Sequence, residues 1–198
     1  MTATIADAPT SRAKRLKALT HDVHEGVDRS IMSAASFEDL DGYKRFLAVQ
    51  YRFHRDVAAL YEDARLQALI PDLRSRQRLP LVTADLADLQ TEPPIAATPN
   101  FAPDGTLDVP TALGWLYVVE GSNMGAALLR KEAAKLGLSD HHGARHLAPA
   151  PEGPAQHWRT FTSALDSVAL NAAEDGRVTD GAIAAFVRVL NHIDAHLG

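Results

Sequence analysis

Gly121-Ser122-Asn123-Met124-Gly125 interrupts an apolar run that otherwise reads as one long helix from Pro110 to Gly137. A glycine in a helix interior costs about 0.5–1 kcal/mol relative to alanine, so two of them around Ser122 and Asn123 need a compensating use. Residues four apart share a helix face, and the pair therefore opens a strip of bare backbone. Three uses are open: close packing against another helix, a kink, or a flat ligand lying across the backbone with Ser122 and Asn123 as polar contacts.

Outward from this strip the chain shows helical periodicity, much Ala and Leu, few alternating runs and no Asn-Gly or Asp-Gly hairpin turn, which predicts an all-α fold. Helices are expected over 11–33, 39–69, 73–89 with a break or restart at Pro80, 110–137, 154–170 and 179–197. The stretch from Gln90 to Pro110, with Pro93, Pro94, Pro99 and Pro103, reads as a linker over the surface, and a second loop runs from Leu138 to Pro154. Residues 1–10 read as a disordered tail, and 11–198 as one domain.

The 198 residues with 46% hydrophobic content can bury a sizeable core without a second domain. A net charge of -5 offers no basic excess to neutralise phosphates, so nucleic acid is excluded as the main partner. The absence of cysteine removes disulfides, thiolate nucleophiles, iron–sulfur clusters and thiolate-bound heme, which leaves nine histidines as the candidate metal ligands. With no signal peptide and no apolar run of membrane-spanning length, the expectation is a cytoplasmic, monomeric protein.

On the first helix Leu16, Leu19, Val23, Val27 and Ile31 form an apolar stripe at about 100° per residue, with His24 at its edge and His21 on the far side. Only His24 can face a pocket. Lys17, two turns earlier on nearly the same face, suits a carboxylate on the rim of a planar ligand. Asp28, one turn after His24, is placed to orient the imidazole directly or through water. The competing reading is a solvated helix flank carrying Lys17, His21, Glu25 and Asp28.

Leu19-Thr-His-Asp-Val-His24 and Leu113-Gly-Trp-Leu-Tyr-Val-Val-Glu-Gly-Ser-Asn-Met-Gly-Ala-Ala127, with Ala48-Val-Gln-Tyr51 and Gly143-Ala-Arg-His-Leu147, resemble the bacterial heme oxygenases. The similarity runs in order from about Ser11 to the last helix. It is nearest the subgroup of iron-acquisition enzymes and of enzymes that supply bilin to bacteriophytochromes. The resemblance implies a helical bundle holding heme b, both substrate and cofactor, between the first, proximal helix and a kinked distal helix. It assigns the axial iron ligand to His24 and the distal face to Gly121 through Gly125. Products would be biliverdin, carbon monoxide and ferrous iron, made with O2 and electrons from a separate reductase or ferredoxin. A bacteriophytochrome is a possible acceptor of the bilin.

The chemistry accounts for these residue types. Oxygen activated on the iron must attack a meso carbon instead of losing water as in peroxidases, and a distal acid–base side chain would favour the wrong outcome. Bare helix backbone permits close approach and leaves room for ordered water. Gln50, Tyr51 and His146 match positions of a distal polar network, although packing or surface roles fit each of them equally well. Tyr117, one turn before Gly121, is expected at the heme edge, and Trp115 and Trp158 are expected as packing anchors.

Within the family, lysines on the first-helix end and the distal helix hold a rotated heme in β- and δ-cleaving members. Met32 and Glu132 stand at those positions here. Lys17 matches the lysine that holds a propionate in α-cleaving members, so α cleavage is expected. The alternative function is a non-catalytic heme carrier or sensor, which also needs His24 but has little use for an open distal strip. A diiron carboxylate bundle would need Glu-x-x-His pairs, and the chain has none. A metal-binding pair His192/His196 would lack a third ligand.

Overall fold

Helix α6, Val109–Lys135, carries the glycine strip in this computed structural model, which describes residues 11–34, 37–95, 98–103 and 105–197. Of residues 32–34 and 196–197 only the backbone is described, so the 1–10 tail and the side chains of Met32 and His196 lie outside. Asp108 caps α6 by accepting from the Thr111 amide, and Pro110 fits the first turn, where its missing N–H costs nothing. At the far end Gly137 takes φ +80°, and Leu138 N–H donates to Ala133 O at 3.2 Å while Gly137 N–H donates to Ala134 O at 3.1 Å. This reciprocal pair is the left-handed glycine stop.

Preceding α6 are α1 (Arg12–Leu19), α2 (His21–Ala34), α3 (Leu40–Glu62), α4 (Ala64–Leu69), a 3-10 turn (Leu73–Arg76) and α5 (Leu79–Asp88). After it come a 3-10 turn (Arg145–Leu147), α7 (Pro154–Ser167) and α8 (Ala172–Leu197). No strand occurs among the described residues, only isolated bridges from Ser139 to His142 and Gly143. No described helix is long and apolar enough to cross a membrane.

Three boundaries differ from the sequence expectation. The first helix is two, because buried Thr20 turns its hydroxyl back to Leu16 O at 2.8 Å and the helix restarts at His21. The apolar stripe shifts accordingly: Leu16 and Val27 are buried, whereas Leu19 is 56% exposed. The 39–69 helix divides at Asp63, whose extended backbone lets its carboxylate cap the Arg65 and Leu66 amides. Helix α8 begins at Ala172, seven residues before the expected start, because Asn171 and Glu174 cap each other reciprocally.

Tight helix packing uses glycines other than the strip. A Cβ on Gly114 would lie 2.6 Å from Ala182 N and overlap the Val178 carbonyl oxygen, while one on Gly181 would lie 3.0 Å from the Thr111 carbonyl carbon. Helices α6 and α8 therefore cross backbone against backbone. Helix α2 also lies on α8. The Pro-rich linker is pinned more firmly than a surface spacer: Asn100 N–H donates to Asp56 Oδ1 at 2.9 Å, and Phe101 packs edge-on to Trp115 at 5.3 Å.

Candidate functional site

His24 projects from α2 with 57% of its side chain exposed, its ring 5.2 Å from Phe186 of α8. Its Nε2 is 3.7 Å from Asp28 Oδ2, beyond hydrogen-bond distance, whereas His21 Nε2 pairs with Glu25 at 3.3 Å on the exposed flank. Lys17 is exposed on α1, and the turn at Thr20 stands between it and His24.

The strip divides into two halves. A Cβ on Gly121 would meet the Trp158 ring at 3.5 Å, an ordinary packing contact, while one on Gly125 would meet nothing within 4 Å. From Ala112 to Glu120 every side chain is buried. From Gly121 to Lys135 only Ala126 and Ala133 are. Ser122 and Gly125 are exposed, Asn123 is half-buried, and the Ser122 hydroxyl donates back to Val119 O at 2.7 Å. Leu40, Leu81 and Ile95 are exposed elsewhere; the other large apolar side chains left exposed are Met124 and Leu128 on α6, Ile183 and Val187 on α8, and Leu19 on α1. They lie on the helix that carries the strip, on the one that carries Phe186 and just before the turn that leads to His24.

Behind α6 lie buried polar groups, of which the sequence singles out only His146. His146 is buried with Nδ1 2.8 Å from Asp85 Oδ2, and its Nε2 has no partner. His54 Nδ1 is likewise buried and unpaired. Burial pushes the His54 imidazole down to about 3, helped by nearby His146 and Arg78, and burial also lowers His146 against the opposing pull of Asp85. Both rings are neutral near pH 7. Arg78 donates to the His146 and Ala148 carbonyls. The 3-10 turn that carries His146 packs against α6.

Beside Gly121, the Glu120 carboxylate accepts from Tyr61 Oη at 2.9 Å and from Arg76 Nη1 at 3.1 Å, and all three side chains are buried. A lone carboxylate closing the apolar run Leu113–Val119 is the signal available in the sequence for this cluster. Of the matched polar candidates, Gln50 and Tyr51 are half-buried on α3, with Tyr51 against the apolar cluster of Tyr43, Phe46 and Leu47. Tyr117 is buried against Trp158, ring centroids 5.5 Å apart, and burial raises its phenol. His192 Nε2–H donates to Asp56 Oδ2 at 2.6 Å, which ties it to the linker anchor and not to a metal pair with His196, whose side chain lies outside the described residues. No group of three metal-ligating side chains occurs among the described residues.

Residues 10–193 match the heme oxygenase family model. The chain belongs to the heme oxygenase family. It is 41% identical over 177 residues to heme oxygenase PigA of Pseudomonas aeruginosa, which covers 89% of this chain and 88% of that protein. A crystal structure of the NO- and CO-bound heme oxygenase from Neisseria meningitidis superposes with a TM-score of 0.85 at 40% identity, covering 96% of this chain and 93% of that one. The heme oxygenase of Leptospira interrogans, at 19% identity and TM-score 0.70, shares the fold, covering 94% of this chain and all of that one. This heme oxygenase is therefore an enzyme of a class that takes heme as substrate. Heme fits the residues present: an imidazole without a hydrogen-bond partner backed by an aromatic ring, a glycine with free space before it, and unburied aliphatic side chains on the flanking helices.

Proposed function

We propose that this heme oxygenase opens heme at the α-meso carbon, releasing biliverdin IXα, carbon monoxide and ferrous iron, with O2 and electrons from a separate reductase or ferredoxin. The setting is the cytoplasm, where such reductants are available, and a bacteriophytochrome is one acceptor for the bilin. The observation that carries the reading is the free space in front of Gly125 on a helix otherwise buried up to Glu120. Among the described residues nothing packs into this opening, and a carrier has no need of it.

When bound, heme supplies the iron that binds oxygen and the carbon bridge that is cut. His24 would hold the iron through its imidazole, without the electron push of an anionic ligand. Asp28 stands one turn along to orient that ring through water. Gly121 and Gly125 would let a heme come close to the peptide groups of this turn while keeping side chains off its face, and Ser122 and Asn123 sit on the same turn. Proton delivery is set one layer back. Asp85 accepts from the His146 backbone N–H at 3.0 Å and faces Nδ1, so in a neutral ring the lone pair is on Nε2, a buried atom that, like His54 Nδ1, has no partner among the described residues. Unpaired buried nitrogens cost about 1–3 kcal/mol each, and bound water is their usual partner. Gln50, Tyr51 and Tyr117 are the further polar side chains that would join this network.

Seating of the heme follows from charge. Lys17 is exposed and available to a propionate. Glu132 on α6 pairs with Lys135 at 2.6 Å and would repel a propionate, and residue 32 is an uncharged methionine. A partly shielded ion pair of about 1.4 kcal/mol selects one seating tenfold over another. Aerobic turnover of the heme complex with a reductant, followed by chromatography of the bilin, tests the proposal: mainly the IXα isomer is expected, and Lys17→Ala should lower that regioselectivity more than it lowers heme affinity. Mainly β or δ isomers from the unmodified protein would overturn the seating, and intact heme after turnover would overturn the reaction.

A further inference from the structure

The polar cluster beside Gly121 extends outward to α7 through His157. His157 Nδ1 lies 2.7 Å from the surface carboxylate of Glu152, while Nε2 lies 3.0 Å from Arg76 Nη1 and 3.5 Å from Glu120 Oε2. Arg76 Nη1 and Nη2 also donate to the His157 carbonyl at 3.3 and 3.4 Å. The next residue, Trp158, is the side chain that a Cβ on Gly121 would meet. Two consecutive residues of α7 thus grip two consecutive residues of α6, by charge at Glu120 and by ring contact at Gly121. This grip falls where α6 changes from fully buried to bare.

We propose that His157 is a positioning residue for heme cleavage: with Arg76 it fixes Glu120 and, through it, the turn of the distal helix that begins at Gly121. The inference rests on the heme oxygenase reading of that turn. Nε2 has two partners of opposite demand. Unprotonated, it accepts from Arg76; protonated, it donates to Glu120, while Nδ1–H donates to Glu152 in both states. The groups facing it are Glu120 from α6, Arg76 from the 3-10 turn, Glu152 from the loop before α7 and, across Glu120, Tyr61 from α3 and Arg78 from the segment before α5. With Arg78 also facing Glu120, loss of the His157 proton removes one of three cations set around the two carboxylates, the one that donates directly to Glu120. The hydrogen bond with Glu120, opposed by burial and reinforced by Glu152, raises the imidazole above its ordinary range near 6.5. A raised folded-state value means that the added grip is complete below about pH 6.5 and is lost as pH rises through the higher folded value.

The test is amide hydrogen exchange in the heme-free protein, expressed as protection relative to the unfolded chain, for residues 121–125 against residues 112–118 of the same helix. In the unmodified protein protection at 121–125 should fall between pH 6 and pH 8.5 while that at 112–118 holds. His157→Ala should lower protection at 121–125 by about tenfold, the loss expected for one charge-assisted hydrogen bond, and remove its pH dependence. His157→Gln, which keeps a neutral hydrogen bond, should be pH-independent at the protection the unmodified protein shows at high pH, and this variant decides the matter if the alanine variant does not fold. In the heme complex both variants should give a smaller yield of biliverdin per heme consumed without a matching loss of heme affinity. Unchanged protection at 121–125, or an equal loss along the whole of α6, would overturn the positioning role. Because the exchange measurement uses no heme, failure of the unmodified protein to cleave heme would be seen separately and would count against the function itself.

Discussion

Gly125→Ala adds one methyl group at a point of α6 where no other atom lies within 4 Å. In the heme-free protein nothing opposes it, and alanine is the better helix former by about 0.8–1 kcal/mol. For a chain of this length that gain raises the melting temperature by about 2–4 °C. Gly121→Ala should have the same sign, because its methyl would touch the Trp158 ring at an ordinary 3.5 Å. The heme complex should respond in the opposite direction. A methyl carbon holds its neighbours about 3.5–4.0 Å away, so a macrocycle seated against the bare turn must shift outward. A displacement near 1 Å in a positioned reaction costs on the order of a hundredfold. Thermal denaturation of the heme-free protein and single-turnover biliverdin yield, measured on the same preparations, give both quantities. A Gly125→Ala protein that is stabilised yet cleaves heme normally would show that the open turn has no ligand against it, and one that is destabilised without heme would show that the space is filled by the chain itself.

Two further substitutions test the frame around the site. Gly114→Ala should destabilise by about 3 kcal/mol or more, since its methyl overlaps the backbone of α8 at Val178 and Ala182 and neither helix can yield locally; urea denaturation measures this, and the opposite sign from Gly125→Ala is the informative result. Asp56→Asn should cost about 2–3 kcal/mol at pH 7, less than a fully buried pair because Arg188 is partly exposed. Burial works to raise the Asp56 carboxyl, but hydrogen bonds from His192 and Arg188 outweigh it and hold the group below its ordinary value of 3.8. A depressed folded-state value contributes stability above that pH and loses it as pH falls through the lower folded value. The difference between the two proteins in urea should therefore shrink below pH 3.8.

Helical periodicity and end signals were enough to place α6, α5 and the start of α7, because Asp108, Pro110, Pro80, Pro154 and Gly137 act locally. The break at Thr20 was not legible, since a threonine that bonds its own helix leaves no pattern distinct from one that faces solvent. The early start of α8 was legible in the Asn171–Glu174 spacing but masked by Gly176 and Gly181, which weaken the helical pattern. Which glycine pair makes the helix crossing could not be told from spacing: Gly114 and Gly181 are distant in sequence and meet only because α6 and α8 do. At the site, His24 and the Gly121–Gly125 strip stood out as local anomalies on otherwise regular helices. His54, Arg78, Asp85 and His157 did not, because their environment is assembled from α3, α5, α7 and the segments between, and only tertiary packing turns a routine polar residue into a buried one.

The central claim is that His24 alone bonds the heme iron, and the optical and resonance spectra of heme bound to His24→Ala test it most directly. The account predicts loss of the histidine-ligated spectrum and of biliverdin formation, partial recovery of both with added imidazole, and little change in His21→Ala, whose ring pairs with Glu25 on the exposed flank. A histidine-ligated spectrum that survives in His24→Ala, or is lost instead in His21→Ala, would contradict it.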